Sequence, residues 1–265
     1  DFDVNAEWEE TTVVYGLLDA GKELQQVKIS KAFLGEMDAL QMAQYADSVN
    51  YKLGELNVRI YKTQYGVVKD SVLLSDSLIY REGDIFHDSV MIYTFFDNNF
   101  LKKDYDYNIV VENKSSGNVV EGNTQIVGGL SFLYLPPKFG FYNPLNNDSA
   151  KFTFEKIEWT NAINADIYQL TVRINYTEGS ESLYLDWVQP LEDTENMTIL
   201  HGSKFFSFLE ASPQLEITNP NLVRRFQNID LYLIAGTEDL NTYIKVNEPI
   251  TGIVQQRPSF TNINN

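Results

Sequence analysis

Residues 154–176 read FEKIEWTNAINADIYQLTVRINY, and this stretch decides the fold. In its second half, apolar and aromatic residues alternate with polar ones, at Tyr168, Leu170, Val172, Ile174 and Tyr176. A period of two in β-branched and aromatic residues predicts a half-buried antiparallel strand. The stretch contains no reactive residue, so it predicts a fold and not a chemistry.

The residues just upstream predict what this strand covers. Ile157 and Trp159 lie on one face of a shorter strand that ends in the polar segment Thr160-Asn161-Ala162. A tryptophan late in one strand, then a short loop and an alternating strand, is typical of fibronectin-type-III-like sandwiches. In such sandwiches the ring fills the space between the two sheets, so we expect Trp159 in a core.

Composition bounds the class of protein. A length of 265 residues suffices for two domains, and 16 tyrosines with 16 phenylalanines suit β-sheets. With 37 acidic and 20 basic residues, the formal charge is −17, which repels phosphate backbones, so we expect no nucleic-acid partner. The absence of cysteine excludes disulfides and thiol chemistry. No run approaches the roughly 18 apolar residues that span a bilayer.

Turn signals divide the chain into tandem parts. The sequence predicts an all-β protein of two Ig/fibronectin-III-like β-sandwich domains with short helical insertions. The predicted parts are an N-terminal tether at 1–11, an Ig-like domain at 12–128, an aromatic Pro/Gly-rich linker at 129–149, a fibronectin-III-like domain at 150–252 and an irregular C-terminal tail at 253–265. Because the chain starts at Asp1 without a signal peptide, we expect a processed or trimmed product.

A second local signal supports the first sandwich. Leu101 precedes Tyr107 by six residues, and Tyr107 opens an alternating strand with Ile109 and Val111. This spacing matches the tyrosine corner of Greek-key sandwiches, in which the hydroxyl bonds to upstream backbone.

Three segments depart from the sandwich plan and are the candidate contact surfaces, namely residues 35–48, the aromatic linker and residues 205–209. Residues 35–48 and 203–212 have helical spacing, the latter behind a serine cap and before Pro213, while 238–243 predicts a turn or one helical loop. Each helical segment, and the aromatic linker, either packs on the sandwich or contacts a partner. The candidate partner-contact residues are Met37, Leu40, Tyr45, Phe139, Phe141, Phe205 and Phe208.

The sequence carries no recognised catalytic or cofactor motif. The two histidines, His87 and His201, are far apart, and neither G-x-S-x-G, H-E-x-x-H nor a Walker or Rossmann glycine pattern occurs. A glycosidase-type carboxylate pair stays open, because the separation of two carboxylates is set by the fold. We therefore expect no enzyme and no cofactor or metal site.

The triplet Asp-Ser followed by an aliphatic residue or alanine recurs five times, where average composition predicts about one. It either marks strand starts or resembles the O-glycosylation signal of exported Bacteroidetes proteins. An intact mass equal to that of the bare polypeptide would exclude glycosylation. The candidate serines are Ser48, Ser71, Ser77, Ser89 and Ser149.

Several stretches resemble one protein family across nearly the whole chain. VVYGLLD at 13–19, KISKAFLGEMDALQMAQYADSVNY at 28–51 and DLNTYIKVNEPITGIVQQRPSFTNINN at 239–265 look like a group of uncharacterised Bacteroidetes outer-membrane lipoproteins. The resemblance implies a lipid anchor on a cysteine immediately before Asp1 and exposure at the cell surface. It departs at the end, where the family continues into a Gly-rich Phe-Ser-Ser-Arg segment. It brings no catalytic residues.

We therefore expect a non-enzymatic cell-envelope lipoprotein ectodomain that binds or scaffolds. As an accessory subunit of an outer-membrane assembly, it would contact an outer-membrane protein or a second lipoprotein. The alternative is a glycan-binding module of a surface polysaccharide-uptake system. Exposed aromatics in a row on one sheet face favour a glycan, whereas an apolar patch rimmed by charge favours a protein partner.

Overall fold

Alternating apolar residues form antiparallel strands throughout the described part of the chain. The computed structural model describes residues 11–32, 50–81, 88–142, 152–193, 195–216, 223–247 and 262–264. The chain forms two units, one of residues 1–126 with 254–265 and one of residues 127–253. Both units consist mainly of antiparallel sheets, so the prediction of an all-β protein is confirmed.

The first unit contains two sheets. One has the order β1 (Thr11–Gly16), β2 (Leu24–Ala32), β6 (Asp88–Phe96), β5 (Ser75–Arg81). The other has the order β16 (Ile263–Asn264), β8 (Val119–Gln125), β7 (Asp106–Asn113), β3 (Leu56–Gln64), β4 (Val67–Leu73). Ile29 and Tyr93 of the first sheet share one buried cluster with Val58 and Ile60 of the second, which gives a sandwich-like core.

The tyrosine corner is confirmed. The Tyr107 ring is buried, and its hydroxyl donates to the backbone carbonyls of Phe100 or Lys102, both 3.1 Å away. The same oxygen accepts the backbone N–H of Lys102. The hydroxyl therefore fixes the loop before β7 to the strand that the loop enters.

The C-terminal segment differs from the predicted irregular tail. Ile263 and Asn264 add the short strand β16 to the edge of β8, with Ile263 opposite Gly122. A Cβ at residue 122 would overlap the Cδ1 atom of Ile263, so a larger residue there would force the Ile263 side chain to shift. Sequence patterns within one segment do not reveal such a contact, because its two sides lie far apart in the chain.

The second unit also contains two sheets. One has the order β14 (Met197–His201), β10 (Phe154–Trp159), β9 (Phe132–Tyr134). In the other, β11 (Ile167–Glu178) lies between β12 (Glu181–Val188) and β15 (Arg224–Gly236), and β13 (Glu192–Asp193) pairs with the first residues of β11. The segment predicted as a linker thus supplies β9 to this unit.

The central strand β11 follows the predicted alternation. All five apolar positions named above are buried, while the polar residues between them are half-buried. Trp159 has no exposed surface and packs 5.7 Å from Tyr168, measured between ring centroids. The placement of Trp159 in a core is therefore confirmed.

The described residues of the second unit also form two α-helices, and each differs in detail from the prediction. Helix α1 (Gly202–Ala211) begins one residue earlier than predicted, and its N-cap, His201, makes no side-chain capping bond. Gly202 fits there because a Cβ would overlap the carbonyl oxygen of Phe141. Helix α2 (Glu238–Asn247) includes the segment 238–243, predicted as a turn or one helical loop, and continues to Asn247. Its Asn241 donates to Asp166 and Asp193.

Replacing Tyr107 by phenylalanine should destabilise the first unit by about 1–2 kcal/mol, because a buried carbonyl and a backbone N–H lose their partner. Urea unfolding followed by circular dichroism measures the loss, and hydrogen exchange in β7 assigns it to this unit. Tyr65→Phe is the matched control, since Tyr65 is 93% exposed in the same unit. Equal stability of the two variants would contradict this role of the hydroxyl.

The same residue makes the first unit sensitive to high pH. Burial raises the pKa of Tyr107 to about 12, whereas an unfolded tyrosine ionises near 10. The folded state then binds more protons between these values, so the stability contributed by Tyr107 is present below pH 10 and is lost as pH rises towards 12. The stability advantage of the native protein over Tyr107→Phe should shrink across this window, by on the order of 2 kcal/mol.

Candidate binding surfaces

Several of the predicted contact and glycosylation residues lie outside the part of the chain that the structure describes. These are Met37, Leu40, Tyr45, Ser48 and Ser149. Of the remaining serines, Ser71 lies within β4 and accepts a hydrogen bond from Arg59 at 3.0 Å, while Ser77 is exposed in β5 and Ser89 lies in β6. Glycosylation of these residues stays a prediction.

The other predicted contact residues pack inside the second unit. Phe141 is buried and stacks on Phe205 with ring centroids 4.6 Å apart, and both rings contact Trp187. Phe208 stacks on Trp187 at 6.1 Å, and Phe139 lies 5.9 Å from Phe141. This packing attaches α1 to the sandwich core, so these side chains act as packing elements of the unit.

A group of more exposed aromatics adjoins this packing. The rings of Tyr142, Phe152 and Phe206 lie 5.6–6.2 Å from one another, and Phe154 lies 6.5 Å from His201. Tyr142, Phe152 and Phe154 are 47%, 48% and 66% exposed. We call Tyr142, Phe152, Phe154 and Phe206 the aromatic patch.

The local structure explains why the aromatic patch faces solvent. Tyr142 and Phe152 form an isolated antiparallel bridge, and Phe154 occupies the face of β10 opposite to the buried Ile157 and Trp159. Phe206 follows Phe205 on α1 and therefore projects from a different part of the helix surface. The patch is an apolar surface of the kind found at protein interfaces.

A different surface covers the outer face of β11 and its neighbours. Arg173 forms a bidentate ion pair with Asp186 of β12, at 2.7 and 2.8 Å. Its guanidinium carbon lies 3.9 Å from the ring centroid of Tyr184 and 4.8 Å from that of Tyr232. The two tyrosines, from β12 and β15, thus flank one cation on three adjacent strands. We call Arg173, Tyr184, Asp186 and Tyr232 the outer-face site.

The electrostatics of the outer-face site follow from this pairing. The hydrogen bonds from Arg173 lower the pKa of Asp186 below its ordinary value, with the positive charge acting in the same direction. The reciprocal bonds to Asp186 raise the pKa of Arg173. Both groups therefore keep their charges at neutral pH, and the arginine is held in a fixed position by bidentate geometry.

Amides and carboxylates extend this surface along the sheet. Asn175 donates through Nδ2 to Asn228 and to Asp230, each at 2.7 Å. Val188 and Ile234 lie on the same outer face and are 53% and 61% exposed. Aromatic rings beside planar hydrogen-bonding groups suit a ligand that has both apolar faces and hydroxyls.

Lys62 is an unusual buried cation in the first unit. Its ammonium donates to the carbonyl of Phe100 at 2.7 Å and lies 4.2 Å from the ring centroid of Tyr105. Burial, followed by the nearby charge of Lys102, lowers its pKa. These contacts satisfy the cation inside the sandwich, so its role is structural.

Neither a metal centre nor a membrane-spanning helix is found in the described residues. No group of three or more histidine, aspartate or glutamate side chains there is arranged to hold a metal ion. Both α-helices of this part of the chain have ten residues, and none has the length and apolar character needed to cross a membrane.

The outer-face site carries no motif in the sequence and was not predicted. Its signal was the set of polar positions between the buried residues of β11, which include a single arginine at residue 173. On the next strand, Tyr184 and Asp186 occupy the outward-facing positions on either side of the buried Leu185. Pairing these positions requires the register of the strands, in which Arg173 lies opposite Asp186 and Asp230.

The ion pair should stabilise the second unit in a pH-dependent way. Because the folded state lowers the pKa of Asp186, its stabilising contribution is present above the ordinary aspartate pKa and is lost as pH falls through the folded value. Asp186→Asn should therefore lower the Tm at pH 7 and have a smaller effect near pH 2.5. Tryptophan fluorescence mainly reports this unit, since Trp159 and Trp187, two of the three tryptophans, lie in its core. An unchanged Tm at pH 7, equal to that of the exposed control Glu181→Gln, would contradict the prediction.

No known protein indicates what these surfaces bind. Comparisons with protein-family models, with curated proteins and with solved structures find no match to this chain. What the two surfaces bind is therefore argued from their own residues.

Proposed function

We propose that this chain is a non-enzymatic ectodomain of a cell-envelope lipoprotein, which binds a protein partner as an accessory subunit of an outer-membrane assembly. Each unit is an Ig/fibronectin-III-like sandwich in this proposal. A lipid on a cysteine before Asp1 anchors the protein to the outer membrane, with the ectodomain at the cell surface. The partner is an outer-membrane protein or a second lipoprotein.

The observation that carries this proposal is the aromatic patch. The rings of Tyr142, Phe152 and Phe206, from three separate segments, pack together, and Tyr142 and Phe152 are about half exposed. The more exposed Phe154 follows Phe152 by two residues at the start of β10. Lys156 and Glu158 form an ion pair on the same face of β10 as Phe154, so charged groups adjoin this part of the patch. An apolar centre with a charged rim is the general arrangement of protein–protein interfaces.

The location rests on the resemblance to outer-membrane lipoproteins described above. It predicts that the native protein, extracted from its own membranes, has a mass that exceeds that of the polypeptide by one lipid-modified cysteine. A native protein released by salt alone, without detergent, would argue against the anchor.

Purification of the native protein in mild detergent, with mass spectrometry of co-eluting proteins, should yield a stoichiometric outer-membrane partner. The double variant Tyr142→Ser, Phe154→Ser should reduce co-elution about tenfold or more, because aromatic anchors dominate binding energy. Tyr65→Ser removes a more exposed ring from the first unit and is the control. Recovery of the protein alone, or equal co-elution for all three proteins, would refute the role of the patch.

A second candidate function is glycan binding at the outer-face site. Tyr184 of β12 and Tyr232 of β15 lie on the two sides of Arg173, which is on the strand between them. Carboxylates and amides lie beside these rings. Sugars place apolar faces on such rings and hydroxyls on such polar groups. Because Asp186 and Asp230 are acidic and the chain carries a net charge of −17, the expected ligand is a neutral glycan.

Native gels that contain neutral polysaccharides should retard the protein if this second function holds. Tyr184→Ala and Tyr232→Ala should each weaken retardation by about threefold to tenfold, since each removes one stacking surface. Phe154→Ser, on a different surface, is the matched control. If no neutral polysaccharide in the panel retards the native protein, the glycan candidate fails and the protein-binding proposal is unaffected.

A further inference from the structure

The edge of β15 carries an inference that neither proposed function includes. β15 has thirteen residues and pairs along its whole length with β11 on one side. No strand in the described parts of the chain pairs with its other side. A long edge strand exposes a row of backbone donors and acceptors, and these pair readily with another strand.

The second half of this edge lacks the features by which edge strands avoid association. A register shift at Gln227 disrupts the pairing near the start of the strand, but residues 228–236, NIDLYLIAG, contain neither proline nor lysine. Asp230 is the only charged residue among them, and it accepts a hydrogen bond from Asn175 within its own sheet. Bulges, prolines and lysines are the common protective features.

The side chains of β15 are also incompletely covered. Ile229, Leu231 and Leu233 face the core on the side of the buried β11 residues, yet they remain only half-buried. Their partners in register, Ile174, Val172 and Leu170, are buried. A further strand beside β15 would cover this remaining apolar surface.

The charge pattern of the strand indicates what that further strand is. β15 begins with Arg224 and Arg225 and is followed by Glu238 and Asp239 in the first turn of α2. If two copies pair antiparallel about Leu231, the basic start of each strand lies alongside the acidic end of the other. In the same register Tyr232 lies opposite Asp230 of the other copy, so no like charges face each other.

We propose that two copies of this chain associate through the free edges of β15, antiparallel and centred on Leu231. The pairing joins two four-stranded sheets into one continuous sheet with a twofold axis. The net charge of −17 on each copy opposes association, but charges separated by more than about 8 Å are screened at physiological ionic strength. In this register Arg225 lies opposite Thr237 of the other copy, one residue from Glu238, so attraction between these two charges favours this register. Arg225 is exposed and forms no ion pair within the described residues.

A charge exchange tests both the association and its register. Sedimentation velocity of the full chain, from about 1 to 200 µM, should show a concentration-dependent dimer. Arg225→Glu and Glu238→Arg should each weaken dimerisation by about threefold to tenfold, because each puts like charges together at two symmetric contacts. The double variant should restore it. Lys114→Glu is the control, because it reverses an exposed charge in the first unit. Arg59 is half-buried, so its replacement would not be a matched control.

Hydrogen exchange supplies a second readout that does not depend on these two charges. Amides of residues 228–236 should become protected as the protein concentration rises across the same range. A monomer at every concentration, or a dimer in which the two charge variants do not compensate each other, overturns the proposal. Amides of β15 that are equally protected at every concentration would also overturn the proposal. In that case another segment of the same chain would cover the edge of β15.

Discussion

The second unit depends on the alternation of β11, which serves two surfaces at once. Its buried face, from Tyr168 to Tyr176, packs against Trp159 and closes the core. Its other face holds Arg173 between two tyrosines. A shift of the strand by one residue would exchange the two faces and place a guanidinium in the core, where an unpaired charge is strongly destabilising. Core packing therefore sets the register that brings Arg173 to Asp186.

The aromatic packing beneath α1 links this core to the aromatic patch. Gly202 allows the helix to approach the carbonyl of Phe141, and the backbone N–H of Gly202 bonds to Thr153 at 2.8 Å. This approach places Phe205 against Trp187 and Phe141, so Phe206 is carried to the surface beside Phe152. The exposed patch is thus positioned by rigid, buried neighbours, which lowers the entropy lost when a partner binds.

Local signals predicted those parts of the fold that depend on a few consecutive residues. Trp159, the alternation of β11 and the bonds of Tyr107 were predictable because each follows from short-range spacing. The strand at Ile263 was not, since it depends on Gly122, far away in the chain. Helix α2 was predicted only as a turn or one helical loop, and the bonds from its Asn241 to Asp166 and Asp193 join distant parts of the chain. The outer-face site likewise needed the strand register, which a period of two does not supply.

The three surfaces of the second unit do not compete for the same groups. The outer-face site uses the side chains of Tyr184 and Tyr232, whereas pairing at the edge of β15 uses backbone amides and carbonyls in the plane of the sheet. The aromatic patch lies on the other sheet and on α1. Edge pairing would therefore place two outer-face sites on one continuous sheet. Two weak sites held together bind a repeating ligand more tightly than either site alone, because the second contact forms at a high effective concentration.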